Sequence, residues 1–225
     1  MTASSTVSGL AIDVFADVVC PWCYIGERRL IRALARRPGV PVVRRWRPFQ
    51  LQPHMPPEGL AWHDFVRTKF GGFDRARPIF ERVTSVGASV GATFDFARIA
   101  NAPNTADAHR LILFAADRGD EWPLVDRLFR AHFAEGRDIG DSETLAELAG
   151  SVGGDRAEVR RYLASDRNRG AVSQSQQTAQ ELGIGGVPFF VFGGRYGVSG
   201  AQPEEVLTRA IDLVATDTLA GDYPR

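Results

Sequence analysis

The strongest constraint on this chain is Ala16 to Leu30, "ADVVCPWCYIGERRL", which holds its only two cysteines, Cys20 and Cys23. They sit where one pattern gives way to another. "LAIDVFADVV" is apolar and β-branched, and has the length of a buried strand. After Cys20, the residues Tyr24, Ile25, Leu30, Ile31 and Leu34 recur near helical spacing. Arg28, Arg29, Arg32 and Arg36 lie opposite. "RPGVP" ends that helix, and "VPVVRRWRPFQL" reads as a second strand. A strand, a helix and a strand in this order favour a right-handed crossover and a parallel pair.

The position of the cysteines determines what they can do. Side chains three apart on a helix are about 5–6 Å apart, which suits a disulfide that opens and closes with little backbone movement. Cys20 stands at the helix start, where the dipole favours an anion; Cys23 lies a turn further in and gains less. The expectation is a division of labour, with Cys20 attacking and Cys23 resolving the mixed disulfide. Two other readings compete. A zinc site needs four ligands, but there is no second cysteine pair, and His54, His63, His109 and His132 are isolated in sequence. Two inert buried thiols would need no special context.

From Pro53 to about Gly183 the chain reads as helical, with stretches near 61–70, 74–90, 104–118, 121–135, 141–151, 155–165 and 168–182. Asp74, Asn104, Asp141 and Asp155 are the expected caps, and no strand is expected among them. Strand character returns in "GVPFFVFGGRYGVSG". Val187 to Phe192 is a β run, Gly193-Gly194 a two-residue turn, and Arg195 to Ser199 the return strand. A last helix begins near Pro203, with Glu204 and Glu205 in its first turn and an apolar stripe of Val206, Leu207, Ala210, Ile211 and Val214.

Composition excludes several classes. At 225 residues and 44% hydrophobic content the chain can bury a sizeable core. Its formal net charge is zero, which argues against a nucleic-acid or membrane-surface partner. Its positive charge is almost all arginine, scattered among acids, with Lys69 the only lysine. "MTASSTVSGLAIDVF" has neither a basic start nor a long apolar run, so a secretory signal is not expected and a cytoplasmic setting is. "GVSGA" falls short of a hydrolase elbow, and no histidine follows Ser199. "GIGGVP" fails as a dinucleotide fingerprint because a strand, not a helix, follows.

Taken together, "DVVCPWCYIG" (17–26), "NTADAHRL" (104–111), "GIGGVPFFVF" (183–192) and "VSGAQ" (198–202) resemble the DsbA family of the thioredoxin superfamily, and within it the FrnE-like branch. The resemblance spans about Leu10 to Val214. It implies an α/β thioredoxin-like fold, β-α-β plus β-β-α, with a large all-helical insertion. The thioredoxin-like domain would take residues 9–60 and 183–225, and the insertion residues 61–182. Cys20 and Cys23 would be catalytic. Pro188 would be a cis-proline facing them, and the backbone of Val187 would pair with an extended substrate segment. Pro21 and Trp22 would touch substrate, with Trp22 either exposed at the mouth as an apolar contact or packed against the insertion. Asn104 and His109 read as a helix N-cap and a helix-face residue, although the resemblance places their segment near the site.

One departure matters. Where thioredoxins carry a buried acid on the strand before the cysteines, this chain has Val14; Asp17 is the better candidate modulator of the thiols. The neighbouring 2-hydroxychromene-2-carboxylate isomerases and kappa-class glutathione transferases resemble it in fold but typically place serine at the position of Cys20. The expected activity is thiol–disulfide exchange on protein or small-molecule disulfides, with a cellular reductant as partner. No metal or organic cofactor is expected, and glutathione is admitted as co-substrate. Alternatives are a glutathione-dependent isomerase or transferase and a non-catalytic peptide-binding module. A homodimer is compatible with the sequence without being indicated by it.

Overall fold

The computed structural model describes residues 9–119 and 121–220. The expectations for the first eight residues and for 221–225 fall outside the described residues. Strand β1 (Leu10–Ala16) leads into α1 (Pro21–Ala35) and β2 (Val42–Pro48), and β1 and β2 pair in parallel, with Val14 opposite Trp46. After the helical segment, β5 (Phe189–Phe192) pairs antiparallel with β1, and β6 (Tyr196–Ser199) with β5. The sheet order is β2-β1-β5-β6. Helix α9 (Glu204–Ala220) packs back onto α1 and the sheet. This is the arrangement of β-α-β and β-β-α expected from the sequence.

The glycine turn forms, but its loop is three residues long, 193–195, rather than two, so the return strand starts at Tyr196 and not at Arg195. Gly193 and Gly194 have φ of 58° and 68°, and the Arg195 N–H donates to the Phe192 carbonyl at 3.1 Å. Positive φ at both central residues is what a primed hairpin turn demands and what glycine supplies. Strand pairing resumes one residue later, with Tyr196 opposite Phe192.

Between β2 and β5 run α2 (Trp62–Phe70), α3 (Phe73–Val90), a 3-10 turn (Phe96–Arg98), α4 (Ala106–Ala116), α5 (Trp122–Phe133), α6 (Ser142–Ser151), α7 (Arg156–Leu163) and α8 (Arg169–Glu181). Strands do interrupt this segment, against expectation. β3 (Leu60–Ala61) and β4 (Asn101–Ala102) form a two-residue antiparallel pair, too short to leave a periodic signal. Asp141 and Asp155 cap α6 and α7, accepting from the Thr144 and Glu158 N–H groups. Asp74 is not a cap: α3 begins at Phe73 after Gly72, and Asp74 instead accepts from Arg77 one turn on. Asn104 precedes the cap position, Thr105, but its Oδ1 accepts the Ala106 N–H at 2.9 Å.

One face of the sheet is built on Ile12, Val14, Phe190 and Phe192 with Leu207 and Ile211 of α9, in a core continuous with the helical segment. The opposite face has a smaller cluster of Phe15, Phe49, Ala179 and Ile184 beneath α8. Two apolar stripes are narrower than their spacing suggested: Ile31 is 40% exposed and Val206 41%. The α1 arginines meet the acids of α9 across the surface, Arg36 reaching Glu204 at 3.0 Å and Arg32 reaching it at 3.2 Å. Such exposed pairs contribute little to stability.

Candidate active site

The cysteines are positioned by the end of β1 and the start of α1. The Asp17 carbonyl accepts the Cys20 N–H at 3.0 Å and closes a turn. Cys20 is then the N-cap of α1, extended at φ −92° and ψ 113°. Its carbonyl accepts from the Cys23 and Tyr24 N–H groups at 3.0 and 3.2 Å. Pro21 takes the first helical position, where no N–H is needed. Cys20 therefore stands at the N-terminus of a 15-residue helix with Cys23 one turn inside it. Both are free thiols and both are buried.

The opposing wall is the start of β5. The Val187–Pro188 peptide is cis. The Cys20 thiol donates to the Val187 carbonyl at 3.7 Å. Gly26, on α1, lets Pro188 approach: a Cβ there would lie 2.9 Å from Pro188 Cγ and 3.2 Å from Phe190 Cζ. Four of the expected site residues, Cys20, Cys23, Val187 and Pro188, are thus gathered around one helix end.

Pro21 and Trp22 are half-buried. Of the two placements expected for Trp22, the structure shows the packed one rather than free exposure at the mouth. The side chain packs against the main core, with the Arg82 guanidinium of α3 placed 6.0 Å from the ring centroid. The helical segment covers it, as an amphipathic ring beside an apolar core allows.

The chain matches the family of DSBA-like thioredoxin domains over residues 11–212. It belongs to that family. The probable DsbA oxidoreductase SCO1869 of Streptomyces coelicolor is 33% identical and superposes with a TM-score of 0.82, covering 96% of this chain and 92% of the other. The Bacillus subtilis protein YwbO, itself uncharacterized, is 28% identical over 201 residues, which is 89% of this chain and 94% of YwbO. The cytosolic disulfide reductase DsbM of Pseudomonas aeruginosa, in a structure with GSH, shares the fold at 22% identity and a TM-score of 0.59, covering 93% and 99% of the two chains.

Within this DsbA-like site, Asp17 is almost wholly buried, and its Oδ2 accepts the Leu51 N–H at 2.8 Å. Its Oδ1 lies 3.3 Å from His109 Nε2. That is ion-pair distance but not hydrogen-bond alignment, and neither atom has another partner among the described residues. His109 Nδ1 accepts from Trp46 Nε1–H at 3.1 Å, which assigns the proton of a neutral ring to Nε2, facing the carboxylate. His109 is therefore more than a helix-face residue: it is fully buried and directed at Asp17. Asn104, one residue before the cap position rather than in it, donates to the Met55 carbonyl at 2.6 Å.

Burial pushes the Cys23 thiol well above its ordinary value, and the hydrogen bond and charge of Cys20 push the same way. The Asp17 backbone lowers it and the Asp17 charge raises it again. The arrangement keeps Cys23 protonated while its partner stands at the helix N-terminus. His132, buried on α5, is pushed down to about 4 by burial, against the opposing pull of Asp17, Asp138 and the Arg137 backbone. Isolated histidines carry no sequence pattern, so His109, His132 and Trp46 become legible only when α4, α5 and β2 are brought together. Among the described residues, no group of three or more His, Cys, Asp or Glu is placed to hold a metal ion, and no helix is long and apolar enough to cross a membrane.

Proposed function

We propose that this DsbA-like protein is a thiol–disulfide oxidoreductase or isomerase in which the Cys20-Pro21-Trp22-Cys23 pair is the redox couple. The observation that carries the reading is the placement of Cys20. Its sulfur stands at the helix N-terminus, 3.7 Å from the Val187 carbonyl, with a protonated Cys23 one turn away. The Cys20 thiolate attacks a substrate disulfide, forming a mixed disulfide and releasing one substrate sulfur, which takes up a proton. Cys23 then loses its proton and attacks Cys20 Sγ. The second substrate sulfur leaves and a Cys20–Cys23 disulfide remains, two electrons having passed to substrate.

Asp17 is assigned as the positioned proton acceptor for Cys23, held by Leu51 and faced by His109. The backbone at Val187, next to Pro188, is assigned to orient the substrate, with Pro21 and Trp22 at its border. The couple needs no metal or organic cofactor. Glutathione is the proposed co-substrate or reductant, a reading supported by the shared fold with DsbM. A cytoplasmic setting, where thiols are kept reduced, would direct the couple toward reducing or isomerising disulfides. The FrnE-like motifs, and the division into a redox domain (9–60, 183–225) and a helical cover (61–182), belong to the same proposal.

The test is a titration of the purified protein in glutathione redox buffers, read by thiol-alkylation mass. A reversible loss of two hydrogens across Cys20 and Cys23 is expected. A stable glutathione adduct on Cys20 with no internal disulfide would replace this reading with a glutathione-dependent isomerase or transferase. Two inert thiols would leave a binding module.

A further inference from the structure

Trp46 lies on β2 and pairs with Val14 of β1, the strand position where thioredoxins carry their buried acid. Its side chain is buried and meets Trp122 and Phe129 edge to face, with ring centroids 6.1 and 6.2 Å away. Its backbone N–H donates to the Glu121 carboxylate at 3.4 Å. These contacts fix the direction of the indole N–H, which donates to His109 Nδ1 at 3.1 Å. Both partners are buried, where a hydrogen bond is stronger than in water.

An indole nitrogen can only donate, so His109 Nδ1 must keep its lone pair. The single proton of the neutral ring is then on Nε2, 3.3 Å from Asp17 Oδ1. Two other states of the ring are opposed. The Nδ1–H tautomer would set N–H against N–H at Trp46 and turn an Nε2 lone pair onto a carboxylate. The imidazolium would also set N–H against N–H at Trp46. Without the indole N–H both states open. In the first, Asp17 gains a proton to bond Nε2; in the second, Asp17 becomes half of an ion pair. Either way it is a weaker acceptor for the Cys23 proton. The neighbouring charges are engaged elsewhere. Arg110, next on α4, donates to the Arg167 carbonyl and to Asp107, both at 2.7 Å. Glu121 holds the Trp46 backbone, and Arg44 pairs with Glu27 while lying over the Trp122 ring at 4.0 Å. His132 on α5 is kept neutral by burial, and the Asp17 charge reaches it as it reaches Cys23 of α1.

We propose that Trp46 is a positioning residue for the resolving step: its indole N–H locks His109 in the neutral Nε2–H form and so keeps Asp17 ionised and free to take the Cys23 proton. The role rests on the exchange reaction proposed above. As Cys23 Sγ bonds to Cys20 Sγ, its proton passes to Asp17, the bond from Cys20 to the substrate sulfur breaks, and that sulfur leaves with the electron pair.

The test joins a spectroscopic readout to kinetics on the full chain. Proton–nitrogen correlation NMR reads the state of the His109 ring, whose signals are assigned by their loss in His109→Gln. A neutral ring protonated on Nε2 is expected in the wild type from about pH 5 to about pH 8. In Trp46→Phe the Nδ1–H tautomer should appear, or an imidazolium below about pH 6.5. Stopped-flow kinetics should show resolution of the mixed disulfide slowed about tenfold at pH 6 and about threefold or less at pH 8, with its formation unchanged. A benzothiophene analogue of tryptophan at position 46 keeps the ring shape and replaces the N–H by sulfur, so it should reproduce the Trp46→Phe profile. A wild-type ring protonated on Nδ1, or charged at neutral pH, overturns the proposal. So does a resolution profile unaltered in Trp46→Phe. A loss seen in Trp46→Phe but absent with the analogue also overturns it, since the role would then be one of packing. If the wild type forms no Cys20–Cys23 disulfide, the exchange reading falls and the role of Trp46 with it, and the NMR result alone then tells whether the lock exists.

Discussion

His109 Nε2 stands 3.3 Å from Asp17 Oδ1 in a part of the interior that excludes water from both side chains. The same aspartate acts on the Cys23 thiol through its backbone and its charge. Its second oxygen is anchored by the Leu51 N–H at 2.8 Å, so the carboxylate cannot swing away from the histidine without losing that bond. This relationship joins α4 of the helical segment to the loop that leads into the redox helix α1, and it underlies the first prediction.

Asp17→Asn keeps an acceptor for Leu51 and removes the carboxylate. If Asp17 takes the Cys23 proton, resolution of the mixed disulfide should slow by about tenfold or more, while formation of the mixed disulfide changes little. Stopped-flow separation of the two steps checks this. His109→Gln should shift the pH profile of the resolving step without abolishing it, as expected of a positioning residue. A uniform loss of both steps at every pH would show that the pair only supports the fold.

The burden on Cys23 is burial, so it should resist alkylation at pH 8 in the native state while Cys20 is the first thiol modified. Cys23→Ser should accumulate a stable mixed disulfide on Cys20, and Cys20→Ser should lose exchange altogether. Peptide mass mapping after iodoacetamide treatment distinguishes the two thiols. Preferential labelling of Cys23 would reverse their roles.

His132 makes stability depend on pH in a defined window. Its folded value is depressed to about 4 from the ordinary 6.5, so between those values the unfolded chain binds the extra proton and the folded chain does not. Stability from this group is complete above pH 6.5 and falls as the pH drops toward 4, by about 3 kcal/mol in all. Carboxylates titrate in the same range, so the difference between wild type and His132→Gln is the informative quantity. Urea melts from pH 4 to 7 should show a flatter dependence in the variant, and parallel curves would refute the assignment.

Gly26→Ala should destabilise the fold by about 1–3 kcal/mol, the usual cost of overpacking. The added Cβ would meet Pro188 Cγ at 2.9 Å and Phe190 Cζ at 3.2 Å, and both belong to the β5 segment that faces Cys20. Exchange activity should fall with it, because Val187 and Pro188 must shift. Chemical denaturation and a turnover assay on the same sample would test whether the two losses travel together; undiminished stability would show that the wall yields freely.

Much of this architecture was legible in the chain because its signals are local. A β-branched run, a Pro after Cys20 and an amphipathic arginine-faced segment set the strand, the helix start and the helix within consecutive residues. Gly193-Gly194 set the hairpin, since few other residues accept two positive φ values in a row. The motif resemblance supplied what local signals lack, the pairing of Cys20 with a segment 167 residues away. What only the tertiary structure decided has no local cause. The two-residue strands β3 and β4 exist because their partners are brought together, and Trp22 is half-buried because it packs on the core beside Arg82 of α3. Asp17, Trp46, His109 and His132 come from the β1–α1 loop, β2, α4 and α5, with no shared spacing. Their charges and hydrogen bonds acquire meaning only through burial, and burial is a property of the packed whole.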